Sequence, residues 1–234
     1  MKALAFSIAL AAGAAAAAVA LAQPPGGPPP GGPPAGGPPA GAPRPPPGPQ
    51  PPNLVDIPSS MGKAHLTVTS AEVKSNTLIP NDNSNYGKSL SPQVSWTKGP
   101  ASTKSYVVAL EDSDAQARGA PITHWVAFNI PASVTYLPGG LPPQGSGAVP
   151  AGMLFANNIR GQAAYMGPGT PPKSTHHYHL QVLAIDTTLD LMAGASRADV
   201  AKAIDGHVVG TGEVVGLFTG PDTAPTPTGG PPPK

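Results

Sequence analysis

Between residues 53 and 220, apolar and polar positions alternate in short runs. His65-Leu66-Thr67-Val68-Thr69 turns Leu66 and Val68 to one side, as a half-buried strand does, so one strand is predicted over 65–69. Gln93-Val94-Ser95-Trp96 and Tyr106-Val107-Val108-Ala109-Leu110 predict two more. The stretches 122–130 and 177–185 are longer and denser in apolar residues, which predicts central strands. Turn-forming clusters separate these runs: Pro80-Asn81-Asp82-Asn83, Lys98-Gly99-Pro100, Pro138-Gly139-Gly140 and Gly167-Pro168-Gly169. A helical pattern follows Ser196. That residue is the expected N-cap, Asp199 completes a capping box, Val200, Ala203 and Ile204 form the apolar stripe, and Gly206 ends it. A last strand is expected over 208–218, its regularity limited by Gly210, Gly212 and Gly216. Many strands and one late helix predict a mainly β fold, a sandwich with a peripheral helix.

Composition marks the edges of that domain. The chain has 234 residues with 35 Pro and 29 Gly, and these concentrate at two places. Residues 23–52 hold 16 Pro and 8 Gly, and residues 221–234 hold 6 Pro and 2 Gly. The first of these has no large apolar residues to bury and is expected to be a disordered, partly polyproline-II linker; the second is expected to be a disordered tail. Residues 1–22 read as a signal peptide. Met1-Lys2 leads an Ala-rich apolar run from Ala3 to Leu21, and Ala20-Leu21-Ala22 offers a cleavage site before Gln23. The weak anchoring power of Ala, the small-residue exit and the lack of a basic flank argue against a retained membrane span. The expectation is a periplasmic or secreted mature protein. What remains, 53–220, is enough for one domain with a sizeable core.

Charge and cysteine content then exclude whole classes of chemistry. Of 13 Lys and Arg and 12 Asp and Glu, Lys2, Arg44, Lys234 and Asp222 fall outside 53–220, leaving 10 basic against 11 acidic residues. No basic run tracks a phosphate backbone, so nucleic acid is not an expected partner. With no cysteine, disulfides, thiolate metal sites and a thiol nucleophile are excluded.

Four polar clusters stand out. Glu111-Asp112-Ser113-Asp114 directly follows the strand ending at Leu110; read alone it is a solvated strand end, though alternate carboxylates can line a pocket at a sheet edge. His124 lies inside an apolar strand, with Trp125 expected on the opposite face as core. In Tyr165-Met166-Gly167-Pro168-Gly169-Thr170-Pro171-Pro172, the N–H groups of Gly167, Gly169 and Thr170 are expected to be free for a small anion. Finally, His176-His177-Tyr178-His179 puts His176 and Tyr178 on one face of a strand and His177 and His179 on the other. Only two of the three histidines project together, so no metal and no cofactor is expected. A hydrolase built on His, Asp and Tyr, with Ser95 or Ser113 as nucleophile, is the rival class, though neither a G-x-S-x-G elbow nor an H-E-x-x-H motif is present; a purely protein-interaction module is the third reading.

Taken in order, these clusters resemble the phosphatidylethanolamine-binding protein family, in particular its bacterial Raf kinase inhibitor-like branch of the YbhB/YbcL type. Pro92-Gln93-Val94-Ser95-Trp96 matches the P-x-(L/V)-S-W strand of that branch, and 124–131 its H-W-V-x-x-N-I-P strand. Asp112-Ser113-Asp114-Ala115-Gln116 stands where the family has D-P-D-A-P, with Ser113 and Gln116 in place of the two prolines. The glycine-proline loop is one residue longer than the bacterial pattern. The resemblance runs from about Leu66 to Phe218. It implies a large central antiparallel sheet with a smaller sheet packed on it, and at one end a pocket for a phosphate-type anion or phospholipid headgroup. By position, Asp112, Asp114, His124, Gly167, His176 and Tyr178 would form that pocket, with Ala115 and Pro171 or Pro172 at its rim. It also implies a binding protein rather than an enzyme, with an exported kinase or protease as a target to be modulated. A buried acid beside an anion is then expected to accept a hydrogen bond from His124 or His176, and affinity for a phosphate monoester to decline as pH rises through about 6.5.

Overall fold

The computed structural model describes residues 52–222 apart from Gly62 and Arg118. The expected signal peptide, nearly all of the expected linker and most of the expected tail lie outside the described residues.

Two sheets share the described residues. Strands β1 (Ala64–His65), β4 (Ser105–Ala117), β5 (Ala120–Pro131), β7 (Leu154–Phe155), β8 (Thr175–Ile185) and β9 (Val208–Thr219) form the large sheet in the order β1-β9-β8-β4-β5-β7. Strands β2 (Val68–Thr69), β3 (Val94–Trp96) and β6 (Tyr136–Leu137) form the small one, ordered β2-β3-β6. All pairings are antiparallel except that of β1 with β9, which makes the large sheet mixed at one edge. Among the described residues one α-helix, α1, spans Arg197–Ile204 and begins with the expected capping box of Ser196 and Asp199.

The large sheet is buried on both faces, which explains the continuous apolar runs of β4, β5 and β8. One face packs against the small sheet: Tyr106, Val108, Leu110, Trp125, Leu180 and Val182 meet Val68, Val94, Trp96 and Leu137. The other face, with Val107, Ala109, Val126, Phe128, Leu183 and Ile185, is covered by Val200 and Ile204 of α1 and by Leu54 and Val55. Leu54 and Val55 are held by more than burial. Leu54 N–H donates to Glu111 Oε2 (3.0 Å) and Val55 N–H to Gln181 Oε1 (2.9 Å). Arg197 ties the same knot, donating from Nε to Glu111 Oε1 (2.6 Å) and from its terminal nitrogen to the Pro52 carbonyl (2.8 Å).

Three sequence expectations change here. The strand over 65–69 is two strands: β1 pairs with β9 in the large sheet, the chain crosses at Leu66-Thr67, and β2 joins the small sheet. The glycines do not break β9, which pairs with β8 from Thr175↔Thr219 to Ile185↔Val208, with one register shift beside Gly210, where Val209 is left over. They make room instead. A Cβ on Gly212 would collide with the Leu66 carbonyl at the crossover, and one on Gly216 would lie 2.9 Å from Val73 Cγ1. Third, β4 does not end at Leu110 but runs on to Ala117, so the acidic cluster belongs to the strand.

Candidate functional site

Residues from three strands and the loops beside them line a cavity of about 260 Å³ at one end of the large sheet, on the face toward the small sheet. Asp112 and Ala115 of β4, Ile122 and His124 of β5, and His176 and Tyr178 of β8 form its walls. Asn85, Ile159, Arg160, Met166, Gly169, Thr170 and Pro171 complete it from the loops.

Register explains the meeting of the strand residues. Asp112 lies opposite both Ile122 and Tyr178, and opposite residues share a face. His124 reaches that face through a bulge: the β4–β5 pairing passes from Leu110↔Trp125 to Glu111↔Thr123, leaving one residue over. Simple alternation therefore fails at this point. Trp125 is core as expected, fully buried beside Phe155 and Tyr165, yet it packs in the same cluster as Tyr178, whose ring also contacts His124.

Asp112 is 3% exposed, and both its oxygens are occupied. Oδ2 bonds His176 Nδ1 at 2.8 Å; Oδ1 accepts the N–H groups of Asp114 (2.9 Å) and Ala115 (3.2 Å). Of the two histidines expected as its partner, His176 takes that role. His124 turns Nδ1 away, toward the carbonyls of Met166 (3.0 Å) and Gly167 (3.1 Å). Two carbonyl acceptors place the hydrogen on Nδ1, which leaves Nε2 an acceptor in the neutral ring. Burial depresses the His124 pKa, outweighing its two carbonyl hydrogen bonds and the nearby charge of Asp112. Tyr178, with no exposed surface, hydrogen-bonds Thr170 Oγ1 at 2.7 Å, and burial together with the charge of Asp112 pushes its pKa upward, so the phenol keeps its proton.

Two of the residues expected at the pocket lie elsewhere. Asp114 follows the irregular end of β4 and turns to His177, accepting its backbone N–H (2.6 Å) and bonding its ring Nδ1 (2.8 Å). Gly167 supports the wall without lining it. Its N–H is not free but donates to Ser89 Oγ at 2.8 Å, and a Cβ there would stand 2.5 Å from the Asn83 carbonyl oxygen. Glycine is required because the 83–85 and 166–168 backbones cross that closely, an approach tightened by the Asn85 N–H bond to the Pro168 carbonyl (2.9 Å).

Sequence reading missed Asn85 and, above all, Arg160. The buried side chain of Asn158 shapes its loop: Oδ1 accepts the N–H groups of Arg160 (2.9 Å) and Gln162 (3.2 Å), and Nδ2 donates to the Ala164 carbonyl (3.1 Å). The Ile159 N–H fastens the turn to the Thr123 carbonyl of β5. The available signal was Asn158 followed at Gly161 by a left-handed glycine, a turn-forming pair that presents what lies between.

The phosphatidylethanolamine-binding protein family model matches residues 69–219. The chain belongs to this family. Among its relatives are UPF0098 protein YbhB of Escherichia coli, 36% identical over 57% of this chain and 84% of that one, and UPF0098 protein YbcL of the same organism, 31% identical over 70% and 93%. A UPF0098 protein of Pyrococcus horikoshii is 40% identical over 61% of this chain and 71% of its own length. The crystal structure of E. coli YbcL superposes with a TM-score of 0.62 at 29% identity, covering 67% of this chain and 99% of that one. The phosphatidylethanolamine-binding homologue CT736 of Chlamydia trachomatis superposes with a TM-score of 0.58 at 26% identity, covering 66% and 97%.

Proposed function

We propose that this member of the family is an exported binding protein, not an enzyme, whose cavity takes a phosphate-type anion, either free or as a phospholipid headgroup. The supporting observation is the saturation of Asp112. A buried carboxylate repels phosphate when it is naked, but three donors neutralise the near field of this one. The groups left to meet a ligand are His176 through Nε2, the Arg160 guanidinium and the Asn85 amide, while His124 Nε2 offers an acceptor to a ligand hydroxyl or ammonium. That combination suits a phosphate monoester carrying a donor, as phosphoethanolamine does. Modulation of an exported kinase or protease would follow from occupancy of the same cavity.

Calorimetric titration with inorganic phosphate, with phosphoethanolamine and with vesicles of phosphatidylethanolamine separates the two sources. Arg160→Gln is expected to weaken phosphate binding roughly tenfold or more, the worth of one charged hydrogen bond. Burial lowers the pKa of His124, which suits its Nε2 to accepting rather than donating. His176→Gln, which removes the Nε2 donor and the partner of Asp112, is expected to weaken phosphate binding as well. Equal affinity of wild type and Arg160→Gln would remove the anion from the proposal.

A further inference from the structure

The opposite face of the same sheet carries a second constellation, separate from the cavity and independent of the function proposed for it. Three adjacent strands each contribute one residue: Ser113 from β4, His179 from β8 and Glu213 from β9. Glu111 lies opposite His179, and Gln181, two residues further along β8, lies opposite Glu213, so alternation sets His179 and Glu213 on one face as diagonal neighbours. His179 Nδ1 is 2.9 Å from Glu213 Oε2, and His179 Nε2 is 3.1 Å from Ser113 Oγ.

These contacts fix the roles. A carboxylate only accepts, so Nδ1 carries the hydrogen and donates it to Glu213, and Nε2 is left to accept the Ser113 hydroxyl proton. A hydroxyl bonded to an imidazole that is itself oriented by an acid is the arrangement that activates a serine. The strand end holding Ser113 is pinned on both sides. Asp112 Oδ1 accepts the N–H groups of Asp114 and Ala115, and Asp114 accepts the backbone N–H of His177. Ser113 is half-buried and the His179 and Glu213 side chains are 17% and 33% exposed, so a small electrophile can reach the hydroxyl from solvent.

We infer that Ser113 is an acyl-accepting nucleophile, with His179 as its general base and Glu213 as the positioning residue for that base. An activated ester approaching Ser113 loses its ester C–O bond as the Oγ–acyl bond forms. The leaving oxygen departs with the electron pair, and the Oγ proton passes to His179 Nε2 and from there to solvent. The product is an acyl-serine on the protein, a modification rather than a turnover cycle.

The groups facing His179 set the pH at which this works. Burial opposes its charge, but the hydrogen bond to Glu213 and the charges of Glu213, Asp56 and Glu111 outweigh it and raise its pKa. Of these, Glu111 is already paired with Arg197. The imidazole becomes a base only above its ordinary value of about 6.5.

Incubating the full-length protein with p-nitrophenyl acetate and mapping acetylated peptides by mass spectrometry tests the inference. The expected result is acetyl-Ser113 forming at a rate that climbs with pH to a plateau, with its midpoint above about 6.5. His179→Gln should slow acetylation of Ser113 by about 10²-fold, the usual worth of a general base. Glu213→Gln should shift the midpoint downward, a change that a merely structural role would not produce. Acetyl groups confined to lysines, a His179→Gln rate equal to wild type, or a wild-type rate at Ser113 without a pH step would each overturn it. The last of these needs no variant, so misfolding of a mutant cannot rescue the idea.

Discussion

His179 and His124 sit two strands apart and respond to protons in opposite senses. The folded chain raises the pKa of His179, so it binds the proton more tightly than the unfolded chain does. Its contribution to stability is complete below about pH 6.5 and is lost as pH rises through the raised value. For His124 burial lowers the pKa, so the unfolded chain takes the proton first and stability is lost as pH falls below about 6.5. Comparing wild type with His179→Gln cancels the second effect. The difference in urea unfolding free energy between the two should be largest near about pH 6 and shrink toward about pH 8.5. A difference that grows with pH would contradict the assignment of Glu213 as the partner that holds the charge.

At the scale of elements, what governs is how closely backbones approach. β9 runs through three glycines because the crossover between β1 and β2 lies on Gly212 and because Val73 and Ile79 press on Gly216. Gly212→Ala is expected to lose about 1–3 kcal/mol, as overpacked cores do, since strand and crossover cannot both keep their places. Chemical denaturation measures it, and an unchanged midpoint would show that the crossover yields. The same consideration separates what alternation could and could not reveal. The interiors of β4, β5 and β8 and the cap of α1 were legible because burial on two faces and the Ser196–Asp199 box act locally. The placement of His176 with Tyr178 was legible for the same reason. The split at Leu66-Thr67, the bulge that re-aims His124 and the extension of β4 into the acidic cluster were not, since each depends on a partner strand far away in sequence. Likewise, Gly167 as a crossing point and Arg160 as a presented cation depend on loops that fold against each other rather than on a repeating pattern.

For the molecule as a whole, the residues just after the Pro-rich stretch belong to the domain. Leu54 and Val55 cover the sheet face beside α1, and their N–H groups satisfy Glu111 and Gln181, which are fully buried. A chain beginning at Asn53 should unfold close to the full-length protein. One beginning at Pro58 leaves Glu111 with fewer donors in a dry site and strips two apolar side chains from the core. Its loss should be several kcal/mol, of which Leu54 alone accounts for about 2–5. Thermal melting of the three forms checks this; equal melting of all three would mean that the segment merely rests on the surface.

The parallel pairing of β1 with β9 has a consequence for the order of assembly. The strand made last lies between β8 and the strand made first, so the edge at Ala64–His65 has nothing to dock on until about residue 211 has left the ribosome. A nascent chain stalled before that point lacks the seam that joins its beginning to its end. Completion of the large sheet thus waits for nearly the whole polypeptide, as in other β proteins whose contacts join residues far apart along the chain.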